Sequence, residues 1–191
     1  MEISELKAEL EKLHHASFGW ALSCCRHNHA EAEEVLQTVY LKILQGKARY
    51  RGECKLQTWL FAVIRKTAIS ERRKHILRTI KAIAAPSSGS GSESETSFAR
   101  SEIQQRLERS EMQQQFNEAL AQLPARQRET LHLVFYQDLS LSEAAQVMNI
   151  SVGSARRHYE RGKKRLREVF DSEGVDYAIG WRRKENSGVV L

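Results

Sequence analysis

Apolar residues recur along most of this chain with the spacing of amphipathic helices. Stripes that begin at Leu36, Leu56 and Phe116 each continue at the i+3, i+4 and i+7 positions. No alternating run of apolar and polar residues is long enough to indicate a β-sheet. The pattern therefore predicts an all-α protein.

A change of composition near the middle of the chain divides this helical pattern in two. Residues 85–97 read APSSGSGSESETS, and such a segment buries too little apolar surface to order itself. We expect two small helical domains, residues 1–84 and 101–171, joined by a flexible linker over residues 85–100. Residues 172–191 have no clear periodicity and are expected to form a C-terminal tail whose role the sequence does not reveal.

The C-terminal half contains the pattern of a helix-turn-helix. Residues 139–148 supply a short amphipathic helix, and Asn149 tolerates the left-handed backbone that a tight turn between helices requires. Ser151 is a typical N-cap for a second helix that begins near Val152. A unit of this kind lays its second helix in the major groove of DNA. The residues expected to face the bases are Ser151, Ser154, Arg156, Arg157, His158 and Arg161.

The distribution of charge favours a polyanionic partner. The chain carries a net charge of +6, and residues 156–167 hold seven Lys and Arg residues against the single acid Glu160. Clustered cations create a usable field, whereas scattered surface charges are screened. A solvated basic helix on an ordinary helical bundle is the alternative, which the turn and cap residues disfavour.

A second cationic surface is predicted in the N-terminal half. Aromatic and cationic groups lie side by side in the loop 48–55 and along the helix after it, a combination that suits the unstacked bases of single strands. Trp59 lies on the apolar stripe and is predicted to be a core residue. The candidate nucleic-acid contacts are Tyr50, Arg51, Arg65, Lys66, Arg72 and Arg73.

The helix before this loop begins with acidic residues. Glu33 and Glu34 are followed by Gln37. Acids at a helix start stabilise the helix dipole. The same residues could equally form a face that docks on another protein, and the sequence leaves both interpretations open.

The cysteines and histidines do not form a recognisable metal site. Cys24 and Cys25 precede His27 and His29, but their spacing fits none of the usual zinc patterns. Cys25 also lies on an apolar stripe, so we expect it to be a core residue and expect neither a metal nor another cofactor. No apolar run approaches the ~20 residues of a membrane span, and the first residues read as a charged helix, so the expected location is the cytoplasm.

Three stretches of the chain resemble the extracytoplasmic-function group of bacterial RNA polymerase sigma factors. They are AEEVLQTVYLK at 32–42, YRGECKLQTWLFAVIRK at 50–66 with RRK at 72–74, and the segment from LPARQRE at 123–129 to KRLRE at 164–168. The resemblance covers almost all of residues 14–170. Lys66 stands where the family usually has the Asn of its base pocket, and Thr38 stands where the docking helix usually has an acid.

The resemblance implies that the two halves of the chain have different functions. Region two of the family docks on the clamp of core RNA polymerase, here through Glu33, Glu34 and Gln37, and captures a flipped base of the −10 element. Region four places its recognition helix in the −35 major groove. The implied partners are core RNA polymerase, promoter DNA and an anti-sigma factor, with no insertion into a membrane.

Two other classes of protein remain as alternatives. A stand-alone helix-turn-helix regulator would need a dimer seam or ligand pocket, and it leaves the second cationic surface unexplained. An enzyme such as a small nuclease would need a nucleophile with its base, or metal ligands at suitable spacing, and neither stands out. The sequence therefore predicts a non-enzymatic transcription factor.

Overall fold

Seven helices have defined bounds in the computed structural model, which describes residues 3–84, 119–120 and 122–173. The described ranges contain no β-strand, which confirms the predicted all-α class. The expected linker 85–100 and nearly all of the expected tail lie outside the described residues, so the expected domain bounds stay predictions. The helices are α1 (Ile3–Lys12), α2 (His14–Cys24), α3 (His29–Leu44), α4 (Leu56–Ala84), α5 (Ala125–Phe135), α6 (Leu141–Met148) and α7 (Val152–Glu173).

Side-chain caps fix the ends of the short helices in the C-terminal half. The hydroxyl of Ser140 accepts from the backbone N–H of Glu143, whose carboxylate accepts from the backbone N–H of Ser140, so α6 begins with a capping box. Asn149 ends α6 in the left-handed region, at φ 52° and ψ 54°. Ser151 Oγ then accepts from the N–H of Ser154 at 3.2 Å. The predicted turn and N-cap are both confirmed.

The N-terminal half is built around α2, which packs against α3 and α4. Trp20 is fully buried at the centre, and its Nε1 donates to the carbonyl oxygen of Phe61 at 3.0 Å. Cys25 is buried in the same core, as predicted from its position on the apolar stripe. Burial raises the pKa of its thiol to about 11, so the thiol is protonated at neutral pH.

In the described part of the C-terminal half, small residues allow α5, α6 and α7 to approach one another closely. Ala145 and Ala155 are almost fully buried between α6 and α7. Gly162 lies where α7 crosses α5, and a Cβ atom there would stand 2.9 Å from Leu131 Cδ1. The geometry of the helix-turn-helix therefore depends on three positions without bulky side chains.

The two halves pack against each other through a continuous apolar core. Helix α4 contacts α6 and helix α2 contacts α5. The same cluster of buried residues includes Leu60 and Ile64 from α4, and Leu133, Val147 and Met148 from the C-terminal half. The sequence pattern predicted two domains but not this interface, because an apolar stripe does not indicate which other stripe it contacts.

Candidate nucleic-acid interface

The second helix of the helix-turn-helix, α7, has one face in the core and one in solvent. Ala155, Gly162 and Leu166 are buried at helical spacing toward α5 and α6. The side chains of the opposite face are exposed, and they include predicted contacts and additional cations. The exposed residues are Ser151, Arg156, Arg157, Arg161, Lys164, Arg165 and Arg167, whereas Ser154 and His158 are half-buried.

Ser151 and Ser154, which were predicted to face DNA bases, make hydrogen bonds at the start of α7. Ser151 Oγ caps α7 and donates to Ser154 Oγ at 2.9 Å. Arg157 Nη2 in turn lies 3.4 Å from Ser154 Oγ. These contacts hold the Arg157 guanidinium near the N-terminus of α7, where a groove-bound helix meets base edges.

His158 lies among cations on this face. Burial and the neighbouring charges of Arg126, Arg161 and Arg157 lower its pKa below the ordinary value. The imidazole is therefore neutral near pH 7, with one nitrogen donating and the other accepting. It can make a directed hydrogen bond, whereas the arginines beside it supply charge.

A cavity of about 600 Å³ lies between α3, α4 and the loop that joins them. Its volume falls within the usual range for small-ligand pockets. Tyr50 and Trp59 form an aromatic wall with ring centroids 5.5 Å apart. Cationic side chains also line the cavity, together with the acid Glu53 and several small or apolar residues. The cations are Lys42, Lys47, Arg49, Arg51 and Lys66.

Hydrogen bonds preorganise this cavity. Tyr50 Oη donates to the carbonyl oxygen of Cys54 at 2.6 Å, which fixes the loop against its own end. Lys42 Nζ donates to Thr67 Oγ1 at 3.2 Å across the cavity. Trp59 is half-buried: it packs against the apolar core, as predicted, and it also lines this cavity.

Helix α3 presents a mixed face on the outside of the N-terminal half. Glu33, Glu34 and Gln37 are exposed there, as a docking surface requires. Leu41 and Leu44 continue the same face and are 55% and 54% exposed. Sequence reasoning missed these two leucines, although their i+4 and i+7 spacing from Gln37 could have revealed them.

Comparison with known proteins identifies the family. A family model described as Sigma-70 region 2 matches residues 10–76, and one described as Sigma-70, region 4 matches residues 113–166. "ECF RNA polymerase sigma factor SigX" of Bacillus subtilis (strain 168) is 29% identical over 84% of this chain and 82% of its own length. The chain belongs to the extracytoplasmic-function sigma factors.

Other relatives of this sigma factor agree in name and fold. "RNA polymerase sigma factor CarQ" of Myxococcus xanthus is 28% identical over 79% of this chain and 81% of its own. The sigma factor RpoE of Bartonella quintana, solved with the anti-sigma factor NepR, matches with a TM-score of 0.66 at 22% identity. That match covers 88% of this chain and 98% of RpoE. The stand-alone regulator is not favoured, because the family match includes both halves of the chain.

The predicted −10 contacts occupy three different environments in the sigma factor. Tyr50, Arg51 and Lys66 line the cavity. Arg72 and Arg73 are exposed further along α4. Arg65 is buried and points away from the cavity, since its guanidinium contacts Glu129 and the carbonyl oxygen of Met148 in the C-terminal half. The structure thus brings five of the six residues to solvent.

No cluster of three or more metal-ligating side chains occurs among the residues that the structure describes. Within those residues, no helix is both long enough and apolar enough to cross a membrane.

Proposed function

We propose that this sigma factor reads a promoter with two separate surfaces. The cavity beside Trp59 takes an unpaired base of the −10 element, and the exposed face of α7 reads the −35 duplex. The observation that carries the proposal is the combination of an aromatic and cationic cavity in one half with an outward-facing cationic recognition helix in the other. Stacking surfaces suit single strands, whereas a groove-sized helix suits duplex DNA.

The cavity supports capture of a base together with its backbone. The Tyr50 and Trp59 rings offer a stacking surface, and the surrounding lysines and arginines offer charge to the phosphates. Lys66 is exposed at the cavity edge and carries three donors and no acceptor. A base that presents acceptors, such as a carbonyl oxygen, therefore suits this position better than one that presents an amino group.

Helix α3 is the proposed docking face for core RNA polymerase. Glu33, Glu34 and Gln37 supply charge and hydrogen bonds, and the exposed Leu41 and Leu44 add apolar area. An apolar patch beside charged residues is typical of a protein interface. If the acids at the start of α3 only stabilised the helix dipole, the exposure of the adjoining Leu41 and Leu44 would have no explanation.

The remaining partners and the location follow from the family. Sigma factors initiate transcription by binding and positioning polymerase, so this chain acts in the cytoplasm and catalyses no reaction itself. RpoE and CnrH were each solved with a protein partner, NepR and the cytosolic domain of CnrY. By analogy, an anti-sigma factor binds this chain as well.

Charge reversal on α3 tests the polymerase-docking assignment. The double variant Glu33→Lys and Glu34→Lys should bind core polymerase at least about tenfold more weakly, because two favourable contacts become repulsive. Run-off transcription from genomic fragments should fall in parallel, while the circular dichroism spectrum stays native.

The matched control carries the same charge change on α1, as Glu9→Lys and Glu11→Lys; Glu9 precedes the family match and Glu11 is its second residue. This control should retain the core affinity of the unmodified protein. Equal core affinity for both double variants would refute the docking face. The proposed function itself would be refuted if the unmodified, folded protein gave no promoter-dependent transcript with core polymerase.

A further inference from the structure

One acidic side chain lies on the exposed face of α7. Glu160 is the only acid among residues 156–167, and its side chain is exposed. Gly153 and Arg157 precede it by seven and three positions, so the three residues form one stripe along the helix. The residues of α7 that pack toward α5 and α6 lie on the other side. Glu160 therefore points in the same direction as Arg157.

The Glu160 carboxylate has no hydrogen-bond or ion-pair partner among the described residues. Cations lie three and four positions away on both sides, at the spacing from which helical ion pairs form. They are Arg156, Arg157, Lys163 and Lys164. Arg157 Nη2 lies instead 3.4 Å from Ser154 Oγ, and Lys164 Nζ lies 4.0 Å from Glu168 Oε1. The charge of Glu160 is thus available to a ligand.

An unpaired acid is costly on a helix that binds DNA. Phosphates repel a carboxylate, and the surrounding cations lose part of their attraction to the duplex. Glu160 does not compensate by stabilising the helix dipole, because it lies in the third turn of α7 and acids stabilise only the first. The acid is favourable towards DNA only where it accepts a hydrogen bond from a base edge.

Cytosine presents the donor that suits a carboxylate best. In the major groove, amino groups are offered by cytosine, through N4, and by adenine, through N6. Adenine also presents the acceptor N7 beside its amino group, and this nitrogen repels a carboxylate. Cytosine itself presents only the donor. The chemistry of Glu160 therefore favours cytosine.

Glu160 lies within the part of a recognition helix that can enter the groove. At about 1.5 Å of rise per residue, it is about 12 Å from the first residue of α7, and the major groove is about 12 Å wide. Base-reading residues of other recognition helices span about seven positions, as Gly153 and Glu160 do here. A Cβ atom at Gly153 would meet no protein atom within 4 Å, so this end of the stripe is open to DNA.

We propose that Glu160 is a base-reading residue that accepts a hydrogen bond from the N4 amino group of a cytosine in the −35 duplex. This inference rests on the proposed function, which places α7 in the −35 groove. Arg157, one turn earlier on the same stripe, supplies donors for the acceptors of a guanine. The carboxylate weakens binding to every duplex that lacks the cytosine, so it acts mainly by excluding wrong sequences.

The test uses the full chain with core RNA polymerase and a pool of promoter DNAs. The pool derives from a fragment that supports run-off transcription, with its −35 positions randomised and its −10 element constant. Sequencing of bound and unbound DNA at fixed salt gives the relative affinity for each base at each position. The native chain should prefer cytosine at one position of one strand by about tenfold.

Three variants separate base reading from a general effect of charge. Glu160→Gln should shift the preference at that position from cytosine to adenine, because an amide pairs with adenine N6 and N7. Glu160→Ala should lose the cytosine preference without gaining another. Glu168→Gln removes the same charge from the exposed face of α7 two turns further along. This control should raise the affinity for all sequences alike and leave the base ranking unchanged.

Two results would overturn the assignment of Glu160. One is a base ranking in Glu160→Gln that equals the ranking of Glu168→Gln and of the native chain. The other is a change confined to positions where the native chain prefers an A·T pair. Failure of the proposed function has a different signature, since the native chain would then show no base preference at any −35 position and would give no promoter-dependent transcript.

Discussion

At the residue scale, the cations of α7 differ in how far each lies from the helix N-terminus. Arg157 lies in the second turn and is held by Ser154, whereas Lys164 lies two turns further along and pairs loosely with Glu168 at 4.0 Å. A recognition helix meets base edges with its first turns and phosphates with later ones. The two residues are therefore expected to contribute differently to DNA binding.

Alanine substitution should separate these contributions. Arg157→Ala should cost about 1–3 kcal/mol of binding free energy and relax the preference at one −35 position. Lys164→Ala should weaken all sequences alike and reduce the salt slope by about one unit. Titrations of −35 duplexes at several salt concentrations measure both effects. The reverse result, with altered sequence ranking only in Lys164→Ala, would place the reading residues on a different face of α7.

Cys25 and Trp59 each occupy a position on an apolar stripe, but their surroundings in the folded protein differ. Cys25 is enclosed by the core, and its thiol pKa is raised by burial. Trp59 has a similar place in its own stripe but forms a cavity wall with Tyr50. The difference arises from the loop 48–55, which turns back over α4 and leaves space beside the Trp59 ring.

At the element scale, two glycines of α7 should respond in opposite ways to the same substitution. Gly162 is buried against α5, and an added Cβ would meet Leu131 Cδ1 at 2.9 Å and Gln127 Cβ at 3.3 Å. Gly153 is near the start of the helix and has open space around it. Alanine stabilises an exposed helical position by up to about 1 kcal/mol relative to glycine.

Gly153→Ala should therefore leave stability unchanged or raise it by up to about 1 kcal/mol, as an exposed helical position gains from alanine. Gly162→Ala should lower stability by about 1–2 kcal/mol, because overpacking outweighs the gain in helix propensity. Leu131 is almost fully buried and has no room to move aside. Urea denaturation of the three proteins measures the differences. A more stable Gly162→Ala would show that α5 and α7 can separate without loss.

The side-chain caps that begin α6 and α7 also belong to the scale of single elements. The capping box of Ser140 and Glu143 involves residues three positions apart, and so does the cap of Ser151 on Ser154. Burial opposes ionisation of the Glu143 carboxyl, but hydrogen bonds from Lys55 and Ser140 outweigh it and lower the pKa. The Glu143 side chain thus helps to start α6 and also pairs with the residue that precedes α4, since Lys55 Nζ lies 2.8 Å from Glu143 Oε1.

At the scale of the whole molecule, His132 makes the contact between the halves sensitive to pH. Its ring packs between Trp20 and Tyr136, and burial lowers its pKa from 6.5 to about 4, with His27 adding repulsion. The unfolded chain therefore binds a proton at this site below about pH 6.5, whereas the folded chain does not until about pH 4. The stability contributed by neutral His132 is present above pH 6.5 and is lost as the pH falls toward 4.

The free energy of unfolding should accordingly decrease by up to about 2 kcal/mol between pH 7 and pH 5. His132→Phe keeps the ring contacts and removes the titration, so most of this decrease should disappear. Carboxylates with lowered pKa values, such as Glu71 and Glu143, lose their contribution only below this range. Urea denaturation at the two pH values measures the difference, and an equal decrease in both proteins would exclude His132 as its source.

The sequence by itself determined the features that depend on neighbouring residues. Helical stripes, the left-handed Asn149 and the Ser151 cap each involve positions no more than a few residues apart, so local chemistry was sufficient. The cationic face of α7 was also evident, because its exposed residues follow from the buried stripe on the opposite side. The resemblance in residues 14–170 supplied the family, which the comparisons confirmed.

Only the tertiary structure decided how the two helical halves meet. Arg65 has the same sequence signature as its cationic neighbours on α4, yet its partner Glu129 lies 64 positions away in the chain. No periodicity or spacing connects such residues, because their contact results from the packing of α4 against α6 and of α2 against α5. The cavity beside Trp59 has the same origin, since a space between elements exists only after the elements have packed.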